Sequence, residues 1–190
     1  MLAFLSLMSV GLAVDVGEPA PAFSLSTADN VTHALEQYKG KIVVLEWFNP
    51  GCPFVKYVHK EGLMKKSADQ TTEKTDVVWL AINSSAPGKQ GANVKENQQA
   101  ADNWSISYPI LFDADGAIGI AYGAKTTPQI FVIDKEGNIA YKGAYDNAPR
   151  GKKTSDPYRN HVEQSVAELS AAQKVSVAQT APYGCSVKYK

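Results

Sequence analysis

The sequence is poor in cysteine, arginine and histidine, and it carries no excess of charge of either sign. Its 190 residues include two cysteines and three histidines, and 19 Lys and Arg balance 19 Asp and Glu. The arginines are Arg150 and Arg159. So neutral a chain lacks the basic surface with which proteins bind nucleic acid or anionic membranes. Two distant cysteines and three scattered histidines also lack zinc-site spacing, so we predict no metal and no cofactor.

The sequence also lacks an apolar run that would comfortably span a membrane, so no transmembrane helix is predicted. Residues 2–14 form a short apolar run, in which Gly11 and Ala13 provide the small residues of a signal-peptide cleavage site. No Lys or Arg precedes Lys39, so the usual basic start of a signal peptide is missing. We interpret residues 1–14 as a signal peptide or apolar leader. This interpretation favours export, to the periplasm, over a cytoplasmic or membrane-tethered protein.

The length corresponds to one domain with appended ends. We divide the chain into the leader (1–14), a core domain (15–175) and a C-terminal tail (176–190) that carries Cys185. Hydrophobic patterns predict strands at 42–47, 76–83, 109–112, 128–134 and 139–142. They predict helices from Cys52 to about Ser67, with a kink or weak point at Gly62, from 117 to 122 and from 157 to about 174. The polar stretch 84–99 is predicted to be a surface loop that leads into a helix ending near Trp104, and 146–156 is predicted to be a polar, solvated loop.

Residues 42–55 are the most informative stretch. Residues 42–48 form an apolar run that is interrupted only by Glu46, as is typical of a strand buried on both faces. Residues 49–51 (Asn-Pro-Gly) indicate a turn, and Pro53 suits the first position of a helix. Cys52 is therefore predicted at a helix N-terminus, where backbone N–H groups and the helix dipole favour a thiolate. This position makes Cys52 a candidate nucleophile.

Two further ionisable residues share the Cys52 side of the predicted helix. Lys56 follows Cys52 by four positions and His59 by seven. We interpret Lys56 as a solvated lysine. We interpret His59 as lying too far along the helix, about two turns, to act as a base for the sulfur.

This arrangement resembles the thioredoxin fold and, within it, the redoxins of the alkyl hydroperoxide reductase/thiol-specific antioxidant family. The stretch Cys-Pro-Phe-Val at 52–55 looks like a Cys-x-x-Cys motif whose second cysteine has become Val55. Residues 16–25 resemble the G-x-x-A-P-x-F-x-L opening of redoxin domains. The tail sequence Gly-Cys-Ser-Val-Lys at 184–188 resembles the ending of a peroxiredoxin-like subgroup with the same Cys-Pro-Phe-Val stretch. The resemblance implies an α/β thioredoxin-like fold, a central mixed sheet flanked by helices, with an N-terminal redoxin extension.

The resemblance also implies roles for individual residues. Glu46, six residues before Cys52, corresponds to a buried acid that can relay a proton to or from the sulfur. Thr127 and Pro128 correspond to a pair joined by a cis peptide bond that faces the active cysteine. Cys185 is the candidate partner that replaces the missing local cysteine. The residues expected to shape the site are Trp47, Asn49, Pro53, Thr127 and Pro128.

Three functions remain open at this stage. The first is a thiol–disulfide oxidoreductase that cycles Cys52 with Cys185, a partner protein or a small thiol. The second is a peroxiredoxin-like antioxidant peroxidase that acts on peroxide. The third is a non-enzymatic binding domain in which Cys52 and Cys185 form a structural disulfide.

Two features of the sequence argue against the peroxidase function. Peroxiredoxins carry threonine three residues before the reactive cysteine, where this chain has Asn49. Neither Arg150 nor Arg159 occupies the place of their peroxide-binding arginine. Efficient peroxidase activity is therefore not expected, and the sequence favours the oxidoreductase.

Overall fold

The computed structural model describes residues 13–73 and 76–190. The predicted leader therefore lies almost entirely outside the described residues and stays a prediction. Its last residue, Val14, is buried and donates its N–H to the carbonyl oxygen of Ala121 (3.1 Å). Across 13–73 and 76–190, no helix has both the length and the apolar character needed to cross a membrane.

A seven-stranded mixed sheet forms the centre of the molecule. The strands in chain order are β1 (Ser24–Ser26), β2 (Thr32–Ala34), β3 (Ile42–Trp47), β4 (Val77–Asn83), β5 (Ile110–Phe112), β6 (Thr126–Thr127), β7 (Ile130–Ile133), β8 (Ile139–Gly143) and β9 (Cys185–Ser186). The order in the large sheet is β2-β1-β5-β4-β3-β7-β8, and β6 pairs with β9 separately. The central strand β3 runs parallel to β4 and antiparallel to β7.

Helices cover both faces of this sheet. They are α1 (Pro53–Lys60), α2 (Leu63–Thr72), α3 (Val94–Asn103), α4 (Ala117–Tyr122) and α5 (His161–Ser170), with 3-10 turns at Leu35–Tyr38 and Pro149–Gly151. Successive side chains of β3 point to opposite faces. Val44 packs with α1, α2 and α5, whereas Val43 and Leu45 pack with α4 and the N-terminal segment. Every residue of β3 is buried, and the predicted thioredoxin-like α/β fold is confirmed.

The helix that follows Cys52 differs from the prediction. It ends at Lys60, and a second helix runs from Leu63 to Thr72 instead of one helix ending near Ser67. Gly62 separates the two helices with a φ of +68°, in the left-handed region. Glycine reaches this conformation without steric cost, so the chain can turn here and begin a new helix.

The starts of two other helices were predicted at the wrong residues, because an asparagine side chain caps each helix at a different position. Asn93 accepts hydrogen bonds from the N–H groups of Lys95 and Glu96, so α3 begins inside the predicted loop 84–99. Asn160 likewise accepts from Val162 and Glu163, so α5 begins after Pro157 rather than at it.

Candidate active site

Cys52 lies between the end of β3 and the start of α1. It is the residue before the first turn of the helix, and Pro53 is the first helical residue. The side chain of Asn49 accepts the Gly51 N–H (2.8 Å), while the Asn49 carbonyl accepts the Cys52 N–H (3.0 Å). These bonds form a tight turn that leads the strand into the helix. The sulfur is thereby held at a helix N-terminus, and Cys52 is 0% exposed.

A second cysteine and a cis-proline loop meet Cys52. The Cys52 Sγ lies 2.9 Å from the Cys185 Sγ and 2.9 Å from the Thr127 carbonyl oxygen. Both cysteines are free thiols, and the Thr127–Pro128 peptide bond is cis. The structure therefore brings together residues that are 133 positions apart in the sequence.

The C-terminal tail reaches this place as an added strand. In β9, Cys185 pairs with Thr127 of β6, and beyond it the Val187 N–H donates to the Lys125 carbonyl (3.0 Å). Gly184 has a φ of +143°, and a Cβ at this position would lie 2.1 Å from the Thr127 carbonyl oxygen. Only glycine allows so close an approach, so the Gly-Cys dipeptide positions the Cys185 sulfur.

Tyr183 attaches the tail to the main fold. Its hydroxyl donates to the buried carboxylate of Asp146, and its ring packs against Phe54 of α1 (5.9 Å between centroids). Asp146 also accepts from the Ala148 N–H (2.9 Å) and the Tyr158 hydroxyl (3.2 Å). The prediction that 146–156 is simply a solvated loop is therefore wrong at its start, where these donors compensate the buried carboxylate.

Glu46 points inward and is fully buried. One of its oxygens lies 2.9 Å from His59 Nε2, and the other accepts from the Tyr108 hydroxyl (2.7 Å). The His59 ring stacks on Trp104 (5.3 Å) and meets Phe48 edge-on (5.4 Å). In the described part of the chain, neither oxygen of Glu46 hydrogen-bonds to a sulfur.

Comparison with known proteins identifies the family of this chain. The profile of the Redoxin family matches residues 15–160. The chain belongs to the redoxin family.

Relatives of this redoxin include proteins named for thiol–disulfide exchange. The thiol-disulfide oxidoreductase ResA of Geobacillus thermodenitrificans is 29% identical over 151 residues, 80% of this chain and 78% of the relative. The thiol:disulfide interchange protein DsbE of Escherichia coli (strain K12) is 31% identical over 143 residues, 71% of this chain and 68% of the relative. The solved structure of an uncharacterized conserved protein from Geobacillus kaustophilus shares the fold, with a TM-score of 0.82, 24% identity and 95% of each chain covered. These relatives support a thiol-based redox function.

The two thiols of this redoxin differ in acidity. Burial opposes ionisation of Cys52, but hydrogen bonds from the Cys185 thiol and from the N–H groups of Val55 and Cys185 outweigh it, and the net pKa of Cys52 is lowered. Burial and the proximity of Cys52 raise the pKa of Cys185 to about 11. Cys52 is therefore the first of the pair to ionise, and Cys185 then keeps its proton.

The side chains of Asn49 and Trp47 are engaged in contacts within the fold. Both donors of the Asn49 amide are engaged, with the Ser85 hydroxyl (3.3 Å) and the Gln90 carbonyl (3.0 Å). The amide is therefore not free to bind a peroxide. Trp47 packs on the sheet face opposite Glu46, in the apolar cluster of α4, and its indole N–H donates to Ser84 (3.0 Å). It stabilises β3 without touching a sulfur.

Sequence reasoning missed the contribution of His59 and Tyr108. His59 was set aside because of its distance from the sulfur, but its partner is the carboxylate of Glu46. A signal was present, because Val55, Val58 and His59 form one buried stripe of α1. Tyr108 precedes β5 and carried no recognisable signal. Lys56 is exposed, as interpreted.

No metal site accompanies this arrangement in the described segments. Across 13–73 and 76–190, no three His, Cys, Asp or Glu side chains converge in a way that could hold a metal ion.

Proposed function

We propose that this redoxin exchanges two electrons with a thiol- or disulfide-bearing partner through the Cys52–Cys185 pair. The observation that carries the proposal is the 2.9 Å separation of two free sulfurs held by different parts of the fold. Oxidation of the pair forms one disulfide and releases two protons and two electrons, which a partner disulfide accepts as it is reduced to two thiols. The partner is a protein or a small thiol.

Within this proposal, Cys52 supplies the stabilised thiolate and Cys185 is the second sulfur of the couple. Glu46 lies on β3, beneath α1, and contacts His59 of that helix. Its oxygens are occupied by His59 and Tyr108, so a proton can pass between Glu46 and a sulfur only through an intervening water. Pro53, Thr127 and Pro128 shape the space around the sulfur.

We also propose the peroxiredoxin-like subgroup and an exported location for this chain. The Cys-Pro-Phe-Val stretch and the Gly-Cys-Ser-Val-Lys tail support the subgroup. The apolar leader and a disulfide-capable pair support a periplasmic location, because disulfides persist in oxidising compartments. Peroxidase chemistry is disfavoured, because the donors of Asn49 are already engaged.

A redox titration tests the proposal. The protein is equilibrated in thiol–disulfide buffers of known potential, and the Cys52–Cys185 disulfide is quantified by alkylation and mass spectrometry. A potential above about −300 mV is expected for a working couple, whereas a lower value would indicate a structural disulfide. The oxidised protein should also oxidise a dithiol peptide, and the Cys52→Ser and Cys185→Ser variants should not.

Stopped-flow mixing of the reduced protein with hydrogen peroxide addresses the peroxidase alternative. We expect no peroxide consumption that depends on Cys52. Rapid consumption that is lost in Cys52→Ser would restore the peroxidase alternative.

A further inference from the structure

The two sulfurs differ in how far a partner can reach them. Cys52 is 0% exposed and shares an apolar cluster with Phe48, Val55 and Ala81. Cys185 is partly exposed on the short strand β9. Cys52 is thus fully enclosed, whereas Cys185 packs against the same cluster but keeps part of its surface exposed.

We propose that an incoming partner thiolate attacks Cys185, not Cys52, when it reduces the Cys52–Cys185 disulfide. This inference rests on the proposed function and assigns the exchange sulfur within it. Attack at Cys52 would require a thiolate to enter the apolar cluster or to displace the tail. Cys185 packs against that cluster but is partly exposed, so attack there displaces less of the structure. Cys185 is then the sulfur that forms the mixed disulfide with the partner.

The bond changes balance as follows. The partner thiolate forms a new bond to the Cys185 sulfur, the Cys52–Cys185 bond breaks, and Cys52 leaves as a thiolate. A second partner thiolate then attacks the partner sulfur of the mixed disulfide. It forms the partner disulfide and releases Cys185, which takes up a proton. The partner dithiol is oxidised, and the two cysteines of this chain are reduced.

The environment of Cys52 also suits a leaving group. When Cys52 leaves, Cys185 is bonded to the partner sulfur and has no S–H to donate, but the backbone N–H groups of Val55 and Cys185 remain as donors that lower the pKa of Cys52. The pKa of Cys185 is raised to about 11. In thiol–disulfide exchange the thiol of lower pKa leaves faster, so access and leaving-group stability select the same bond change.

The test uses the full-length oxidised protein and reduced glutathione. The reaction is stopped with acid at successive early times, free thiols are alkylated, and peptide mass spectrometry locates each group. We expect glutathione on Cys185 and the alkyl group on Cys52, with the Cys185 adduct in about tenfold excess or more over a Cys52 adduct. A Cys52 adduct that dominates at the earliest times would overturn the inference.

A tail variant tests the role of access. Gly184→Ala places a Cβ 2.1 Å from the Thr127 carbonyl oxygen, so the tail must move away. We expect the Cys52 share of the adduct to rise in Gly184→Ala and to stay at the wild-type value in the control Ser186→Ala, whose side chain is exposed. An unchanged share in Gly184→Ala would show that the tail does not shield Cys52.

The outcomes for this inference and for the proposed function are distinct. If oxidation produces no Cys52–Cys185 disulfide, the proposed function fails, and the inference fails with it. If the disulfide forms and exchanges but glutathione attaches to Cys52, only the choice of sulfur is wrong.

Discussion

Cys52 and Cys185 share a hydrogen bond that makes two chemically identical side chains titrate differently. The folded protein holds the Cys52 proton less tightly than the unfolded chain does, so ionisation of Cys52 favours folding as the pH rises. The raised pKa of Cys185 acts in the opposite direction. Its contribution to stability is present below the unfolded thiol pKa of about 8.5 and is lost as the pH rises through about 11.

The titration of the pair is the first testable consequence at the scale of single residues. Cysteine Cβ shifts of the reduced, carbon-13-labelled protein should show Cys52 ionising below the ordinary thiol value of about 8.5 and Cys185 near 11. In Cys185→Ala the Cys52 pKa should rise, because a donor to its thiolate is gone. Cys185→Ser, which keeps a hydroxyl donor, is the matched control. The assignment would be contradicted if Cys185 ionised first.

The buried pair of Glu46 and His59 is the second residue-scale feature. His59→Leu would leave the Glu46 carboxylate buried with only the Tyr108 hydroxyl as donor. We expect a loss of about 3–5 kcal/mol in the free energy of unfolding, measured by urea denaturation. The double variant Glu46→Met/His59→Leu removes both polar partners and should recover much of this loss. A urea midpoint for His59→Leu equal to that of the wild type would show that the pair is not coupled.

At the scale of elements, the tail behaves as a strand that the fold adds to β6. Its backbone bonds continue past Cys185, where the Ala86 N–H donates to the Lys188 carbonyl (2.8 Å). The Tyr189 hydroxyl donates to the Ala124 carbonyl (2.8 Å). Contacts on both sides of Cys185 therefore hold its sulfur against Cys52.

The bond from Tyr183 to Asp146 should control how firmly the tail closes this site. Tyr183→Phe removes that donor from the tail and should cost about 1–3 kcal/mol. It should also speed alkylation of Cys52 in the reduced protein. Tyr158→Phe removes a donor from the same carboxylate without touching the tail, so it is the matched control. Equal alkylation rates in the two variants would mean that Tyr183 does not hold the tail.

At the scale of the whole molecule, a Cys52–Cys185 disulfide would close a loop across 133 positions. The chain-entropy account predicts about 5 kcal/mol of added stability for so long a loop, because it removes freedom from the unfolded chain. The urea midpoint of the wild type should therefore fall when a reductant is added. That of Cys185→Ser should be insensitive to reductant. Equal midpoints for oxidised and reduced wild type would contradict the entropy argument.

Much of this architecture could be predicted from local patterns. The apolar run before Cys52, interrupted only by Glu46, predicted a strand buried on both faces, and the turn residues with Pro53 predicted the helix start. The helix boundaries were less predictable. At Gly62 a left-handed residue divides one apolar pattern into two helices, and Asn160 rather than Pro157 starts the last helix. The sequence marks Gly62 as a weak point of the helix, but periodicity does not encode that its backbone ends one helix and begins another, or that Asn160 caps the last helix.

The sequence by itself determined the fold class, through its family motifs, and the position of Cys52 at a helix N-terminus, which arises from neighbouring residues along the chain. It also supplied a second thiol in Cys185, which the family resemblance named as the partner of Cys52 without giving the path of the tail. Tertiary structure alone decided that the tail pairs with β6, that Cys52 is enclosed while Cys185 stays partly exposed, and that Glu46 meets His59. These outcomes depend on contacts between distant segments, and only the packed fold brings those segments within reach of one another.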